Sequence, residues 1–116
     1  MGATRPYFNA ALTGTVVDVS VRCQGILRGI QAYSINGIDT WLQVFDVAAA
    51  SVTLGTTTPI QSYLIPKGNG TDRGAFTELF PDGISLGGVA LSIAATTTEA
   101  GNTAPTTAIE VNIQYV

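Results

Sequence analysis

Hydrophobic and polar residues alternate with a period of two over much of this chain of 116 residues. The alternation is clearest at residues 17–22, 26–35, 39–47 and 107–116. Successive side chains of a β-strand point to opposite faces, so this period predicts strands with one buried and one exposed face. The pattern therefore predicts a protein built from short β-strands.

Two of these alternating runs are separated by the dipeptide Asn36-Gly37. Asn-Gly is favoured in two-residue hairpin turns because both positions accept a positive φ. The second run carries Trp41 and Phe45 on one of its faces. We therefore predict that residues 24–47 form a β-hairpin.

Prolines and apolar runs indicate where the remaining strands lie. Residues 59–66 predict a strand with a proline at each end, where proline is tolerated. Residues 73–80 predict another strand, and Pro81-Asp82-Gly83 predicts a turn after it. Residues 84–95 are apolar on both faces, as expected for a central strand of a sandwich.

These elements predict an all-β fold: an antiparallel β-sandwich or jelly-roll-like arrangement of about seven or eight short strands. No substantial helix is expected, since the best helical stretch, residues 48–52, covers one turn. Arg5-Pro6 favours extended backbone, and chain termini are loose unless they are tied down. We therefore predict an N-terminal arm at residues 1–12 and one β-sandwich domain at residues 13–116.

Charge is scarce in this sequence: 11% of the residues are charged, none is histidine, and 46% are hydrophobic. An ordinary soluble domain has about 25% charged residues, which help to keep it dispersed in water. Much of the outer surface is therefore expected to be covered by neighbouring subunits, or to consist of neutral threonine and glycine. This composition indicates a component of a larger assembly rather than a free-standing enzyme.

Nucleic acid and membrane are not expected as partners. The five basic residues are scattered, whereas binding to phosphates needs clustered lysine and arginine. The longest nearly apolar stretch, residues 84–95, has about 12 residues, and a spanning helix needs about 20. The N-terminus lacks the features of a signal peptide, so we expect the chain to begin at or near Met1 and to be made in the cytoplasm.

One motif matches a catalytic site: Gly83-Ile-Ser85-Leu-Gly87. G-x-S-x-G is the nucleophile elbow of α/β-hydrolases, which needs a preceding strand, a following helix and a histidine base. The chain has no histidine, and a strand-like pattern follows Gly87. The expected structure here is a glycine-containing β-turn.

Other catalytic or metal-binding chemistry is sparse. The segment from Gly68 to Arg73 lacks the third glycine of a dinucleotide-binding fingerprint and predicts a hairpin turn. Asn69 and Asp72 are the nearest candidates for a calcium site, but the clustered acids of such a site are missing. Cys23 is the only cysteine and is expected to be a small, half-buried apolar residue. We expect no enzyme activity, no cofactor and no metal.

Two further features concern contacts with partners. Tyr7 and Phe8 are aromatic residues of the predicted arm, which makes them candidates for docking. Charges within apparent strands have two interpretations, which both stay open: solvent-facing or edge positions, or ion pairs between subunits. The charged residues concerned are Asp18, Arg22, Arg28 and Asp46.

Several segments follow one another in a characteristic order. They are Gly25-Ile-Leu-Arg-Gly-Ile30, Trp41-Leu-Gln-Val-Phe-Asp46, Gly55-Thr-Thr-Thr-Pro59, residues 60–66, Gly83-Ile84 with Gly88-Val-Ala-Leu-Ser-Ile93, Thr96-Thr-Thr98, and Ile109-Glu-Val-Asn-Ile-Gln-Tyr115. Their order and spacing resemble those of small all-β proteins encoded among the virion genes of tailed bacteriophages. The resemblance covers about residues 24–116. Residues 73–80 are more polar than the pattern, and residues 1–23 have no clear counterpart in it.

The resemblance implies a structural protein of the phage virion, most directly a capsid decoration or cement protein that binds the head and stabilises it. It also implies a homotrimer, with the major capsid protein or another virion protein as partner. The alternative is a tail or fibre component, or a module that binds carbohydrate on the host surface. We expect the arm to dock onto the partner, and the sandwich to stay folded without residues 1–12. The candidate docking residues are Arg5, Pro6, Tyr7 and Phe8.

Overall fold

The protein is built from strands joined by turns and loops, in a computed structural model that describes residues 3–116. The strands are β1 (Arg5–Leu12), β2 (Val17–Ser20), β3 (Ile26–Ser34), β4 (Thr40–Phe45), β5 (Gln61–Ile65), β6 (Gly74–Ser85), β7 (Leu91–Thr96) and β8 (Ile109–Tyr115). Among the described residues the only helical element is a 3-10 turn at Ala49–Ser51. Residues 3–116 contain no helix long and apolar enough to cross a membrane.

The strands form two antiparallel four-stranded sheets. The first sheet has the order β1-β8-β3-β6, and the second sheet has the order β2-β7-β4-β5. Every connection between consecutive strands, except the one from β4 to β5, passes from one sheet to the other. Two four-stranded sheets connected in this way are a jelly roll. The predicted all-β sandwich is therefore confirmed.

The predicted hairpin over residues 24–47 is wrong. The segment does contain two strands, but β3 pairs with β6 and β8, whereas β4 pairs with β5 and β7. The alternation of residues is the same in two strands that pair within one sheet and in two strands that lie in opposite sheets. It therefore could not distinguish a hairpin from a crossing between the sheets. Residues 35–39 carry the chain from the first sheet to the second.

Asn36 explains why this segment is not a hairpin turn. Among the described residues only glycines have a positive φ, and Gly37 is not one of them, so the expected turn does not form. The buried Asn36 amide nitrogen instead donates to Ser34 Oγ (2.9 Å) and to the carbonyl of Thr107 (2.8 Å). Its Oδ1 accepts the backbone N–H of Thr107 (2.8 Å). Asn36 therefore ties the crossing between the sheets to the loop before β8.

Residues 5–12 belong to the sandwich rather than to a separate arm. β1 is an edge strand that pairs antiparallel with β8, and Leu12 at its end is fully buried in the core. The predicted arm at residues 1–12 is thus corrected to an edge strand from residue 5 onward, while Met1 and Gly2 lie outside the described residues. A chain without residues 1–12 would expose β8 and part of the core, so it is not expected to stay folded.

The core lies between the two sheets and matches the predicted pattern at the end of the chain. The odd-numbered residues of β8, 109 to 115, are buried, and the even-numbered ones are half-buried. β7, between β2 and β4, is buried at all six positions. The central strand predicted at residues 84–95 is therefore confirmed from Leu91 onward, whereas residues 84–85 end β6.

β6 continues through the turn that was predicted at Pro81-Asp82-Gly83. Its register with β3 passes from Leu79 opposite Gly29 to Ile84 opposite Leu27, so the intervening residues of β6 form a bulge. Gly83 lies in this bulge with a φ of 77°, a value that residues other than glycine rarely adopt. The turn signal in the sequence therefore marks an irregularity within one strand.

Tyr63 closes the core on the side where β5 and β6 approach each other. Its ring packs against those of Phe76 and Phe80, at centroid distances of 5.4 and 6.4 Å. The Tyr63 hydroxyl is buried and has no hydrogen-bond partner within residues 3–116. Burial, and to a lesser extent the negative charge of Glu78, raises the pKa of Tyr63 above its ordinary value of 10.0.

Replacing Tyr63 by phenylalanine should increase the free energy of unfolding by about 1 kcal/mol, because a buried hydroxyl without a partner is destabilising by that order. The folded state holds the phenolic proton more tightly than the unfolded state, so the wild type loses stability as the pH rises above about 10. The variant lacks this loss, and its advantage should grow in that range. Urea unfolding at neutral and alkaline pH tests both points. A less stable variant at neutral pH, or a constant advantage at all pH values, would contradict the expectation.

Candidate binding surface

The outer face of the first sheet lies open to solvent. On β8, Glu110, Asn112 and Gln114 point away from the core because their neighbours Val111 and Ile113 are buried in it. Residues directly opposite each other in antiparallel strands share a face, so the strand register assigns further residues to this side. We call this surface the open face. Its residues are Pro6, Phe8, Gly29, Gln31, Tyr33, Ala75, Thr77, Leu79, Glu110, Asn112 and Gln114.

Two rows of the open face cross all four strands. In strand order from β1 to β6, one row is Phe8, Asn112, Gln31 and Thr77, and the next is Pro6, Gln114, Gly29 and Leu79. Strands lie about 4.8 Å apart, so the ends of each row are about 14 Å apart. Phe8 and Leu79, at opposite ends, are 56% and 71% exposed. Apolar side chains therefore flank a centre made of amides.

Gly29 produces a shallow depression in this centre. It lies between Gln114 on β8 and Leu79 on β6 and has no side chain to fill the space. The depression has a volume of about 130 Å³, and polar side chains of the neighbouring row also line it. A Cβ atom at Gly29 would lie 3.1 Å from Leu79 Cδ2. A small movement of that methyl group would accommodate it, so the depression can be filled without disturbing the fold.

The polar groups at the centre of the open face have no partners within residues 3–116. No hydrogen bond joins the side chains of Gln31, Thr77, Asn112 or Gln114 to another described residue. All four side chains are half-buried or exposed, so water can satisfy them in the isolated protein. A docked partner must either supply these hydrogen bonds or keep bridging waters, since unpaired buried polar groups are costly.

A pair of opposite charges lies at one end of the open face. Nη1 of Arg73 donates to Oε2 of Glu110 at 2.9 Å, and the guanidinium carbon lies 4.6 Å from the centroid of the Tyr33 ring. The pair is partly exposed, so it stabilises the fold by less than about 1 kcal/mol. Because the two charges cancel, the open face with the adjoining Arg73 is close to neutral.

The central strands of the second sheet, β4 and β7, are covered on their outer side by the chain's own loops. Phe45 points outward from β4 and is nevertheless 1% exposed. Ser92 Oγ donates to the carbonyl of Val47 (2.7 Å), which fixes the loop after β4 over this sheet. Gln43 Nε2 donates to the carbonyl of Gly101 (3.0 Å), which fixes the loop after β7 in the same way. Leu64 on the edge strand β5 is exposed on this side, so the two sheets differ at their centres: that of the second is covered and that of the first is bare.

The four residues predicted to dock onto a partner point to different sides of β1. Phe8 and Pro6 lie on the open face. Tyr7 packs against the core instead, and its hydroxyl accepts a hydrogen bond from Asn9 Nδ2 (3.2 Å). The structure therefore places Pro6 and Phe8 on one side of β1 and Tyr7 on the other. Arg5 lines a cleft away from the open face.

Arg5 and Arg22 line the same cleft, which has a volume of about 340 Å³. Neither guanidinium forms an ion pair with another residue of the described chain. Arginine binds carboxylates with two parallel hydrogen bonds, so two arginines in one cleft favour an acidic group of a partner. We call this the arginine cleft. The other residues that line it are Ala3, Cys23, Gln24 and Val116, and Cys23 is half-buried, as predicted.

The residues considered for catalysis lie at the end of β6 and just after it, and those considered for metal binding close a turn. Gly83 and Gly87 both have a positive φ, and no helix follows Ser85, so the G-x-S-x-G segment is not a nucleophile elbow. Asn69 Nδ2 donates to Asp72 Oδ2 (3.0 Å), and Asn69 Oδ1 accepts the backbone N–H of Asp72 (2.7 Å). Within residues 3–116 no group of three or more histidine, cysteine, aspartate or glutamate side chains is placed to hold a metal.

Two of the four charges expected within strands lie outside them. Asp18 and Arg28 are in β2 and β3, whereas Arg22 and Asp46 follow the ends of β2 and β4. Asp18 Oδ1 accepts the backbone N–H of Ala49 (2.7 Å) and so anchors the 3-10 turn. For Arg22, Arg28 and Asp46 both interpretations, a solvent-facing position and an ion pair between subunits, stay predictions.

Sequence reasoning missed most of the open face. It assigned Leu79 to a strand without placing it on a binding surface, and it did not single out the central amides. The usable signal was the polar side of the last strand, where Asn112 and Gln114 alternate with buried residues and carry no charge. A solvent-facing strand ordinarily carries more charge, so neutral amides there indicate a surface that meets a partner.

Comparisons with known proteins add no family to this picture: no protein-family model matches the chain, and no curated protein matches it in sequence. The function is therefore argued from the open face and the arginine cleft.

Proposed function

We propose that this protein is a structural component of a bacteriophage virion, most directly a capsid decoration protein that binds the head and strengthens it. The observation that carries the proposal is the open face. It is a nearly neutral sheet surface with exposed Phe8 and Leu79, in a chain of which 11% of residues are charged. Such a surface is poorly suited to remain in water and well suited to contact other subunits.

The fold is compatible with this role but does not decide it. Jelly rolls occur in viral capsid proteins, lectins and cupins, and one fold carries many functions. The resemblance of residues 24–116 to virion proteins points to the first of these groups. The surface features carry more weight, because they describe what this chain can contact.

Decoration strengthens a shell by adding contact area between its subunits. Buried apolar surface stabilises by roughly 25 cal/mol per Å², and a standard interface buries about 800 Å² per partner. Only part of that gain remains after the cost of association. Repeated over many copies, the remainder opposes the outward pressure of packaged DNA.

We assign the contact with the shell to the arginine cleft and the start of β1. Arg5 lies in both, and Arg22 faces the same cleft. An acidic side chain of the major capsid protein, or of another virion protein, would neutralise these two cations. The other three predicted docking residues do not line this cleft, since Pro6 and Phe8 lie on the open face and Tyr7 packs against the core.

Replacing Arg5 and Arg22 together by alanine should weaken binding to capsids roughly tenfold or more, since loss of a charge-paired contact costs about 2–5 kcal/mol. The measurement is co-sedimentation of the purified protein with capsids that lack it. Lys67→Ala is the matched control, because Lys67 is an exposed cation outside the cleft. Equal binding of the double variant and the control would remove the cleft from the proposal.

Copy number in purified particles tests the proposal itself. A decoration protein is present in numbers comparable to those of the capsid subunits, whereas a tail or fibre component is present in a few copies. Absence from particles would overturn a virion role altogether. The location in the virion after synthesis in the cytoplasm is part of the proposal that the same preparations test. The resemblance implies a homotrimer, and the mass of the purified protein tests that assembly against the two-fold pair inferred below.

A second candidate function is favoured by one observation. The depression at Gly29 is surrounded by amide and hydroxyl groups without partners in residues 3–116, and such uncharged groups suit the hydroxyls of a sugar. A virion module that binds host carbohydrate would use this depression. Binding to an array of neutral glycans that is lost in Gly29→Ser would favour this function over decoration.

A further inference from the structure

We propose that the open face binds the open face of a second copy of this chain, so that two molecules form a closed two-fold pair. The inference rests on the proposed function only in that both treat the protein as part of an assembly. It identifies a second copy of the chain as the partner of the open face. Three observations lead to it: the blocked strand edges, the neutrality of the face, and the order of its residues.

The strand edges of the described chain are unsuited to pairing with another molecule. Strand addition needs a long, regular edge, which proteins block with prolines, bulges or short strands. Each of the four edge strands has at least one such feature. β1 contains Pro6 and an irregularity between Asn9 and Leu12, and β2 has only four residues and an irregularity of its own. β5 has five residues between Pro59 and Pro66, and β6 contains Pro81 and a bulge. Association is therefore expected through a face.

The charge distribution allows two copies to meet at the open face. The whole chain has a net charge of −3, so two copies repel each other over most orientations. On the open face and beside it the charges of Glu110 and Arg73 cancel within one ion pair. Like charges placed opposite each other across an interface are costly, and face-to-face docking avoids them.

The order of residues across the sheet makes the open face complementary to itself. A two-fold axis parallel to the strands reverses the strand order, so β1 of one copy lies over β6 of the other. Phe8 and Pro6 of one copy then lie opposite Thr77 and Leu79 of the second copy, and the exposed apolar ends cover each other. The central strands β8 and β3 also lie over each other, so amides that lack partners face amides, which both donate and accept hydrogen bonds.

The size of the face sets the strength of the pair. Four strands about 4.8 Å apart give the first sheet a width of roughly 19 Å, and the nine residues of β3 span roughly 30 Å. The outer face therefore offers roughly 570 Å², less than the 800 Å² or so per partner of a standard interface, so the pair is expected to be weak and to form at high protein concentration. Stacked sheets also pack with nearly aligned strands, which is the orientation that this axis produces.

Leu79→Glu tests the pairing. It places a charge on the open face, and the dissociation constant of the pair should rise by roughly tenfold or more, measured by sedimentation velocity over a dilution series. Val89→Glu is the matched control, since Val89 is 69% exposed, close to the 71% of Leu79, and lies outside the open face. Gln31→Glu is a second variant, which puts like charges near the two-fold axis and should dissociate the pair as well.

A compensating substitution separates disrupted contact from disrupted folding. Phe8→Lys alone should dissociate the pair, but Phe8→Lys combined with Leu79→Glu should restore much of it. In the pair, the ammonium introduced at position 8 of one copy would lie diagonally across from the carboxylate introduced at position 79 of the other. Within one chain the two positions are at least about 14 Å apart. Failure of the double variant to associate more tightly than either single variant would contradict the two-fold arrangement.

The mass of the wild-type protein decides between two-fold pairing and the homotrimer implied by the resemblance. A dimer that Leu79→Glu dissociates and Val89→Glu preserves supports the inference. A monomer at all concentrations, a trimer, or a dimer insensitive to Leu79→Glu overturns it. The proposed function is judged separately, because a monomeric protein that is abundant in particles would contradict only the pairing.

Discussion

Alanine at position 25 is expected to lower the free energy of unfolding by at least about 3 kcal/mol. Gly25 has a φ of 68°, which strains any residue with a Cβ atom. That Cβ atom would also overlap the carbonyl oxygen of Gly88. The carbonyl of Gly25 accepts the backbone N–H of Leu86 (2.7 Å), so the strained segment cannot move away without losing this bond. Urea unfolding followed by circular dichroism measures the loss.

Gly37→Ala is the control for this substitution. Gly37 does not have a positive φ, and a Cβ atom there would meet no atom within 4 Å. The free energy of unfolding of the Gly37→Ala variant should stay within about 0.5 kcal/mol of that of the wild type, as for ordinary surface substitutions. Equal stability of the two variants would show that the close contact between Gly25 and the carbonyl of Gly88 does not restrict the residue at position 25.

The Asn36→Ala variant should lose about 3 kcal/mol of unfolding free energy. The substitution removes three hydrogen bonds, two of them to the backbone of Thr107. Asn36 is 5% exposed, so its former partners are left unpaired where water has little access. Removing one partner of a buried hydrogen bond costs about 1–3 kcal/mol per group left unpaired, and the contacts act as one unit rather than adding fully. Chemical unfolding of the purified variant measures this loss.

Asn69→Ala gives the comparison for Asn36. Asn69 also precedes a glycine, but it is exposed, and its side chain closes a turn whose residues are its only partners. Water replaces those hydrogen bonds when the side chain is removed, so the loss should stay below about 1 kcal/mol. A loss at Asn69 equal to that at Asn36 would refute the idea that the crossing between the sheets is held by Asn36.

The arginine cleft and the open face are separate surfaces with separate tests. Substitutions at Arg5 and Arg22 act on attachment to capsids, whereas those at Leu79 and Gln31 act on pairing of the protein with itself. Phe8 lies on the open face close in sequence to Arg5, so its substitution can affect both. For that reason the two surfaces are best separated with Leu79 and Arg22, which do not share a strand.

The strands themselves were predictable because their pattern is local. Alternation in residues 109–115 states which side chains face the core, and the structure agrees at each position. Prolines around residues 60–65 bound a strand that forms nearly as predicted. Glycine and proline signals were less certain, since Pro81-Asp82-Gly83 produces a bulge within β6 and not a turn. A local pattern describes the conformation of a segment but not the strand that it pairs with.

The sequence by itself determined the class of fold, the buried side of most strands and the scarcity of charge, because these follow from composition and from a two-residue period. Only the tertiary structure decided that β3 and β4 lie in different sheets, that residues 5–12 form an edge strand, and that the centre of one sheet is covered while that of the other is bare. These depend on hydrogen bonds between residues distant in the chain, such as Asn36 with Thr107 and Gln43 with Gly101. No pattern within a short window contains that information, since pairing is chosen by the packing of all strands together.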